Sequence, residues 1–168
     1  IYDVGFKAWL ETSPIKDKVT YVSETVDPQA PTITNQMTTL GSKKPDFFIA
    51  MVAGTFCTQA VIEAAQNGMQ QDLKYLWQPN TCAGSTQLSK EKVGGDGSAS
   101  QGWWIVNGGI KDISSQAFDN DPYVKFAREQ LAAGGLDYKV SAQYGNGYFY
   151  GPILLQALLI AAELDGGL

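Results

Sequence analysis

The two residues of this chain best suited to covalent chemistry are Cys57 and Cys82. Joined, they would close a loop of about 25 residues and stabilise the fold by roughly 3 kcal/mol, by restricting the unfolded chain. Left apart, they are two small buried apolar side chains. Histidine is absent from the 168 residues. Two thiolates without an imidazole make half a zinc shell, so no metal site is expected. The missing histidine also removes Ser-His-Asp and Cys-His nucleophiles and the commonest general base. No pair of carboxylates is spaced in a way that proposes acid–base work. Gly94-Gly95-Asp96-Gly97-Ser98 lacks the Lys-Ser/Thr ending and the preceding strand of a phosphate loop. Asp119-Asn120-Asp121 lacks the glycine and closing glutamate of a calcium loop and reads as a turn with a helix cap. No cofactor is expected, and no catalytic residue.

These residues need elements to hold them. With 44% hydrophobic and 17% charged residues, the chain has enough apolar content for one domain, or one and a part. Twelve Lys and Arg against seventeen Asp and Glu leave a net charge of -5, which argues against nucleic acid as a partner and against a polybasic membrane site. No apolar run approaches the roughly 20 residues that span a bilayer. The chain opens Ile1-Tyr2-Asp3 with neither Met nor a signal sequence, so it is expected to be a trimmed piece of something longer.

The hydrophobic pattern alternates between helix and strand. Phe6, Trp9 and Leu10 have helical spacing. The β-branched alternation Val19–Val26 predicts a strand. Ile33, Met37 and Leu40 predict a helix stopped by Gly41. Phe47–Ala53 is apolar on both alternating faces, as a central parallel strand covered by helices on both sides should be. Gly54–Cys57 is then a turn, followed by a helix from about Thr58 with Gly68 beyond its end. Leu73–Trp77 predicts a strand, residues 83–101 a long surface loop with a helical turn near Leu88, and Gly102–Asn107 another strand. Trp103 and Trp104 are expected to be packing residues. Asp121-Pro122 starts a helix that ends at Gly134-Gly135, and Tyr150–Leu164 is a final helix.

This order predicts an α/β fold: a mostly parallel sheet with helices on both faces. Ligands of such sheets sit beyond the carboxyl ends of the strands. That rule selects Gly54–Cys57 and Gln78–Cys82. Each selected segment carries one of the cysteines, so a disulfide would clip two neighbouring loops at the ligand edge.

The succession Pro45–Ala50, Gly54-Thr55-Phe56, a helix ending Gly68-Met69, a short strand, Gln78-Pro79-Asn80, Asp121-Pro122 with Phe126, and the Tyr150–Ala162 helix with Gly166-Gly167 resembles the type I periplasmic substrate-binding proteins. The branch it is most similar to is the leucine/isoleucine/valine-binding group of ABC transporters. The resemblance runs from about Phe6 to Leu168. It implies a partial two-lobe chain, with residues 1–107 forming most of the second lobe and residues 108–168 a returning segment of the first. It implies an extracytoplasmic receptor, periplasmic or on the outer face of the cytoplasmic membrane, with or without a lipid anchor. Such a receptor traps a small amino acid or related organic or aromatic acid between its lobes, hands it to a membrane permease, and is not an enzyme.

By position, Gly54, Thr55 and Phe56 in one turn and Asn80 and Thr81 in the other would meet the ligand, with Tyr2 at the cleft edge. Asn80 stands where branched-chain binders commonly place an acid against the ligand ammonium, so a plain α-amino acid loses that ion pair. Thr55 as a helix cap, Phe56 as core and Asn80 as an Asx-turn are the structural alternatives. An α/β enzyme fragment and the sensory domain of a receptor are the alternative functions. Apolar surface left open by an absent lobe is expected to make the fragment self-associate.

Overall fold

The computed structural model describes residues 2–83, 85–106, 111–141, 143–164 and 166. Its elements in chain order are α1 (Tyr2–Thr12), α2 (Thr34–Ser42), β1 (Phe47–Ile49), α3 (Thr55–Gln66), α4 (Met69–Asp72), β2 (Tyr75–Pro79), α5 (Ser85–Leu88), α6 (Lys90–Val93), β3 (Trp103–Val106), α7 (Pro122–Ala133) and α8 (Tyr144–Glu163). The three strands form one parallel sheet in the order β1-β2-β3, with Phe48 opposite Leu76 and Leu76 opposite Trp103. The chain is therefore α/β, as its alternating pattern predicts.

One sheet face is built as a core. Phe48 and Ala50 from β1 and its end, and Leu76 from β2, pack with Ile33 and Met37 of α2, Ala60 and Ala64 of α3, and Met69 of α4. Ala60, Val61 and Ala64 fall on one stripe of α3 and are fully buried, which is what holds that helix on the sheet. Gly68, at φ 75°, supplies the left-handed residue that ends it.

The opposite face differs from expectation. Helices were expected on both faces, yet Phe47, Ile49, Tyr75, Trp104 and Val106 are exposed there. The register explains the grouping. Phe47 pairs with Tyr75, Ile49 with Trp77 and Trp77 with Trp104, and directly paired residues project to one side. Trp104, 61% exposed, is thus not a packing residue, whereas Trp103 packs against the core as expected.

Several boundaries shift for physical reasons. The Val19–Val26 segment forms no strand and pairs with none among the described residues. Only Val26 reaches the core, and β-propensity without a partner does not make a sheet strand. The Phe47–Ala53 run forms a ladder only to Ile49. Ala50 N–H still donates to Trp77 O (2.9 Å), but Val52 N–H turns back onto Ala50 O (2.9 Å) and ends the strand. α2 runs through Gly41 to Ser42.

The expected loop at 83–101 is largely folded. α5, α6 and a 3-10 turn at Ser98–Ser100 pack on α3. Thr58 Oγ1 donates to Gln87 O (2.6 Å), and Gln70 Nε2 donates to Ser98 O (2.7 Å) and Gln101 O (3.0 Å).

A second, smaller core joins Ile113 to Val124, Ala127 and Leu131 of α7, ringed by Phe118, Tyr138, Tyr144 and Tyr148. Asp121 caps α7 as expected, accepting from the N–H groups of Tyr123 and Val124. Arg128 ties the surrounding loop together. It donates to Ile113 O (2.7 Å) and Ser115 O (3.0 Å), pairs with Asp119 (2.8 Å) and lies over the Tyr138 ring.

α8 starts at Tyr144, six residues before the expected Tyr150, and contains Pro152. Pro152 has no N–H for the Tyr148 carbonyl, and the Tyr123 hydroxyl donates to that carbonyl instead. The lobe boundary expected at 107/108 lies outside the described residues.

Candidate functional site

The two strand-end segments selected by topology come together as one edge. Cys57 and Cys82 form a disulfide with Cα atoms 5.3 Å apart, and both residues are fully buried. The same junction is tied at the Val52 carbonyl. Thr81 Oγ1 donates to it (3.2 Å), and the sulfurs of Cys82 and Cys57 lie 3.5 and 4.0 Å from it. A covalent bond and a hydrogen bond therefore hold the Val52–Cys57 and Asn80–Cys82 turns against each other. The two residues proposed to face a ligand, Thr55 and Asn80, each stand two positions before a bridged cysteine.

Local conformation decides what the first turn offers. Gly54 has φ 61° and ψ -137°, a backbone state that L side chains rarely adopt, and it precedes α3 without any side-chain cap. α3 starts at Thr55 rather than near Thr58, so Thr55, Phe56 and Cys57 form its first turn. Cys57 N–H bonds back to Gly54 O (3.1 Å). The amides of Thr55 and Phe56 begin a twelve-residue helix and have no intrahelical acceptor, and a helix start carries partial positive charge. Thr55 is exposed and does not act as the cap. Phe56 is partly buried against the main core, so the core alternative describes its packing.

The second turn is a 3-10 turn, Asn80–Cys82. Asn80 is half-buried and its side chain makes no hydrogen bond among the described residues, so it does not form the Asx-turn weighed as its alternative. Its carbonyl accepts from Ala83 N–H (3.0 Å) and from Gln143 Nε2 (3.0 Å). Gln143 immediately precedes α8, and its Oε1 accepts from Asn146 Nδ2 (2.5 Å). It thereby brings the C-terminal segment to the edge of the site. Nothing local in the sequence marks this residue, because its partner lies 63 positions away.

Beneath the turns sits Gln78, 1% exposed, on the covered face of β2. Its Nε2 donates to Cys57 O (2.8 Å), while its Oε1 is buried without a partner. A polar residue at a core-facing strand position is the signal that could have singled it out. Tyr2 is not brought to these turns. It is 66% exposed on α1, and α1 is held by Phe6 stacked on Tyr21 and by the Tyr21 hydroxyl donating to Asp3 (2.9 Å).

The turns contain no ionisable side chain with a shifted pKa among the described residues. The shifted groups lie elsewhere. Asp3 is held down from 3.8 to about 2 by bonds from Lys7, Ser23 and Tyr21. Asp121 is lowered by Lys111 and its capping amides. Glu91 and Asp96 are lowered by local hydrogen bonds, and Tyr21 is raised by burial and by Asp3. No cluster of three potential metal ligands occurs among the described residues, and no described helix is long and apolar enough to cross a membrane.

No family model, no curated protein and no solved structure matches the chain.

Proposed function

We propose that this edge is one wall of a solute trap, and that the chain belongs to an extracytoplasmic receptor of the ABC-importer kind. The observation that carries this reading is the stapled pair of turns. An uncapped helix start with the Thr55 hydroxyl stands on one turn and the unengaged Asn80 amide on the other, and the Cys57–Cys82 bridge and the Thr81–Val52 hydrogen bond join the two turns. A ligand carboxylate takes the amides of Thr55 and Phe56, where the helix dipole favours negative charge. The Asn80 amide donates to and accepts from the ligand's next polar group.

A neutral amide forms no ion pair with an ammonium. An organic acid, an aromatic acid or an amide-bearing molecule therefore fits better than a simple α-amino acid. The opposing wall is a second lobe, and closure of the two around the solute is the signal read by a membrane permease. No bond is made or broken. The absence of histidine from the chain and of any Asp or Glu from the two turns supports that part of the reading. The disulfide supports an oxidising, extracytoplasmic location.

The test uses Trp77, whose strand leads into the second turn, as the reporter. Intrinsic tryptophan fluorescence is followed while a panel of carboxylates, amides and amino acids is added, and the mixtures are assayed for product. A saturable change with an unaltered ligand is expected. Turnover of any panel member would replace the receptor by an enzyme.

A further inference from the structure

The two turns keep few acceptors for a ligand. Neither carries an Asp or Glu, so an acceptor there is a carbonyl, a hydroxyl or an amide oxygen. The carbonyls are spoken for. Gly54 O points into α3 and accepts from Cys57 N–H (3.1 Å). Val52 O accepts from Thr81 Oγ1 (3.2 Å) and lies against both sulfurs of the bridge. Asn80 O accepts from Ala83 N–H (3.0 Å), which occupies one of its two lone pairs. The second lone pair is taken by Gln143 Nε2 (3.0 Å).

This second donor is held in place from behind. Gln143 N–H donates to Ser141 Oγ (3.1 Å), and Gln143 O accepts from Asn146 N–H (3.0 Å). Its Oε1 accepts from Asn146 Nδ2 (2.5 Å), which leaves Nε2 for Asn80. The start of α8 is fixed as well. A Cβ at Gly145 would come within 3.1 Å of Ile113 Cγ2, so the helix is seated closely on the smaller core, where Tyr144 and Tyr148 also pack. A side chain anchored on that core thus closes off an oxygen on the turn after β2.

Resting on the receptor reading above, we infer that Gln143 is a specificity-determining residue of the wall. By filling the second lone pair of the Asn80 carbonyl, it withholds that oxygen from a ligand ammonium. An ammonium that leaves water needs oxygens to replace its hydration, and burial without them is costly. With Gln143 in place, the turns offer a ligand the amides of Thr55 and Phe56, the Thr55 hydroxyl and the Asn80 side chain. A carboxylate finds donors there, while an α-ammonium beside it finds no free carbonyl. The amino acid is disfavoured by the partner it lacks, and specificity is a difference between two affinities.

Two probes with one skeleton isolate the effect, because 3-phenylpropionate and phenylalanine differ by the α-ammonium. Their midpoints are read on the 168-residue chain from the amide shifts of Thr55, Phe56, Asn80 and Thr81. The wild type is expected to hold 3-phenylpropionate more tightly. Gln143→Ala frees the carbonyl and should narrow that preference about three- to tenfold, the size of one hydrogen bond. Asn146→Ala keeps the donor but unpins it, and should narrow the preference by less. Circular dichroism verifies the fold of each variant, and Asn146→Ala decides if Gln143→Ala does not fold. Both probes weakened alike, with the preference unchanged, would make Gln143 a structural brace and overturn its role in specificity while the receptor reading stands. A wild type that prefers phenylalanine would overturn it too. No saturable shift at either turn with either probe would sink the receptor reading, and the role of Gln143 with it.

Discussion

The two faces of the sheet come from alternate residues of the same short strands, yet they stand in opposite environments. Phe48 and Leu76 lie under α2 and α3 and are nearly inaccessible, while Phe47, Ile49 and Tyr75, their immediate neighbours in sequence, stand in the open. Side-chain chemistry does not separate them, since both sets are large and apolar. Stability and site geometry thus come from one face only. That face carries α3, whose first turn and disulfide form the candidate wall. The other face is available for contact with something else.

Truncation at matched positions should separate the two faces by the largest margin. Phe48→Ala, on the covered face, is expected to cost about 3–5 kcal/mol in urea unfolding, through lost transfer energy and a cavity. Ile49→Ala, one residue on, should cost less than about 1 kcal/mol at sub-micromolar concentration, where the open face is wet. Equal losses would mean that the open face is a core.

Removing the staple comes next. Cys57→Ala with Cys82→Ala opens a loop across 25 positions and is expected to cost about 2–4 kcal/mol. A loss confined to a few tenths would show that the Thr81 bond and the sheet hold the turns unaided.

A smaller effect of opposite sign is expected beneath them. Gln78→Met gives up one hydrogen bond to Cys57 O but removes a buried unpartnered acceptor, whose burial costs about 1–3 kcal/mol. The net change should lie between neutral and about 1 kcal/mol of stabilisation in the same unfolding assay. A clear loss would mean that Oε1 is engaged.

The mildest effect is acid sensitivity at the periphery. Asp3 and Asp121 have folded pKa values below their ordinary ones, so their contribution to stability is present above about pH 4 and is lost as pH falls through the folded values, to about 2 for Asp3. Between pH 4 and 2, hydrogen exchange should rise first in α1 and at the start of α7. Simultaneous release of α3 would contradict the separation of site and periphery.

The path from sequence to this arrangement was readable where a local signal and a tertiary need coincided. The apolar Phe47–Ala53 run, the turn at Gly54 and the stop at Gly68 fixed the β1–α3–β2 order. The position of each cysteine just past a strand made their pairing foreseeable. The α7 start was plain because Asp121 and Pro122 are both favoured there.

Val19–Val26 misled because alternation reports strand preference and says nothing of a partner. The 83–101 segment misled because its helices are single turns made stable by Thr58 and Gln70 of neighbouring helices, under a Gly- and Ser-rich composition. Coverage of the sheet was illegible for a related reason. A strand apolar on both sides reads the same whether one helical layer exists or two. Gln143 was invisible because its role depends on a contact between distant parts of the chain.

The central claim is that the stapled turns act together as one binding wall. Amide NMR titration of the oxidised chain with a small aromatic carboxylate, repeated after the disulfide is reduced, tests it most directly. The account predicts saturable shifts at Thr55 and Phe56 that titrate with the same midpoint as those at Asn80 and Thr81, and it predicts weakening of both on reduction. Shifts at only one turn, or equal shifts with the bridge opened, would contradict it.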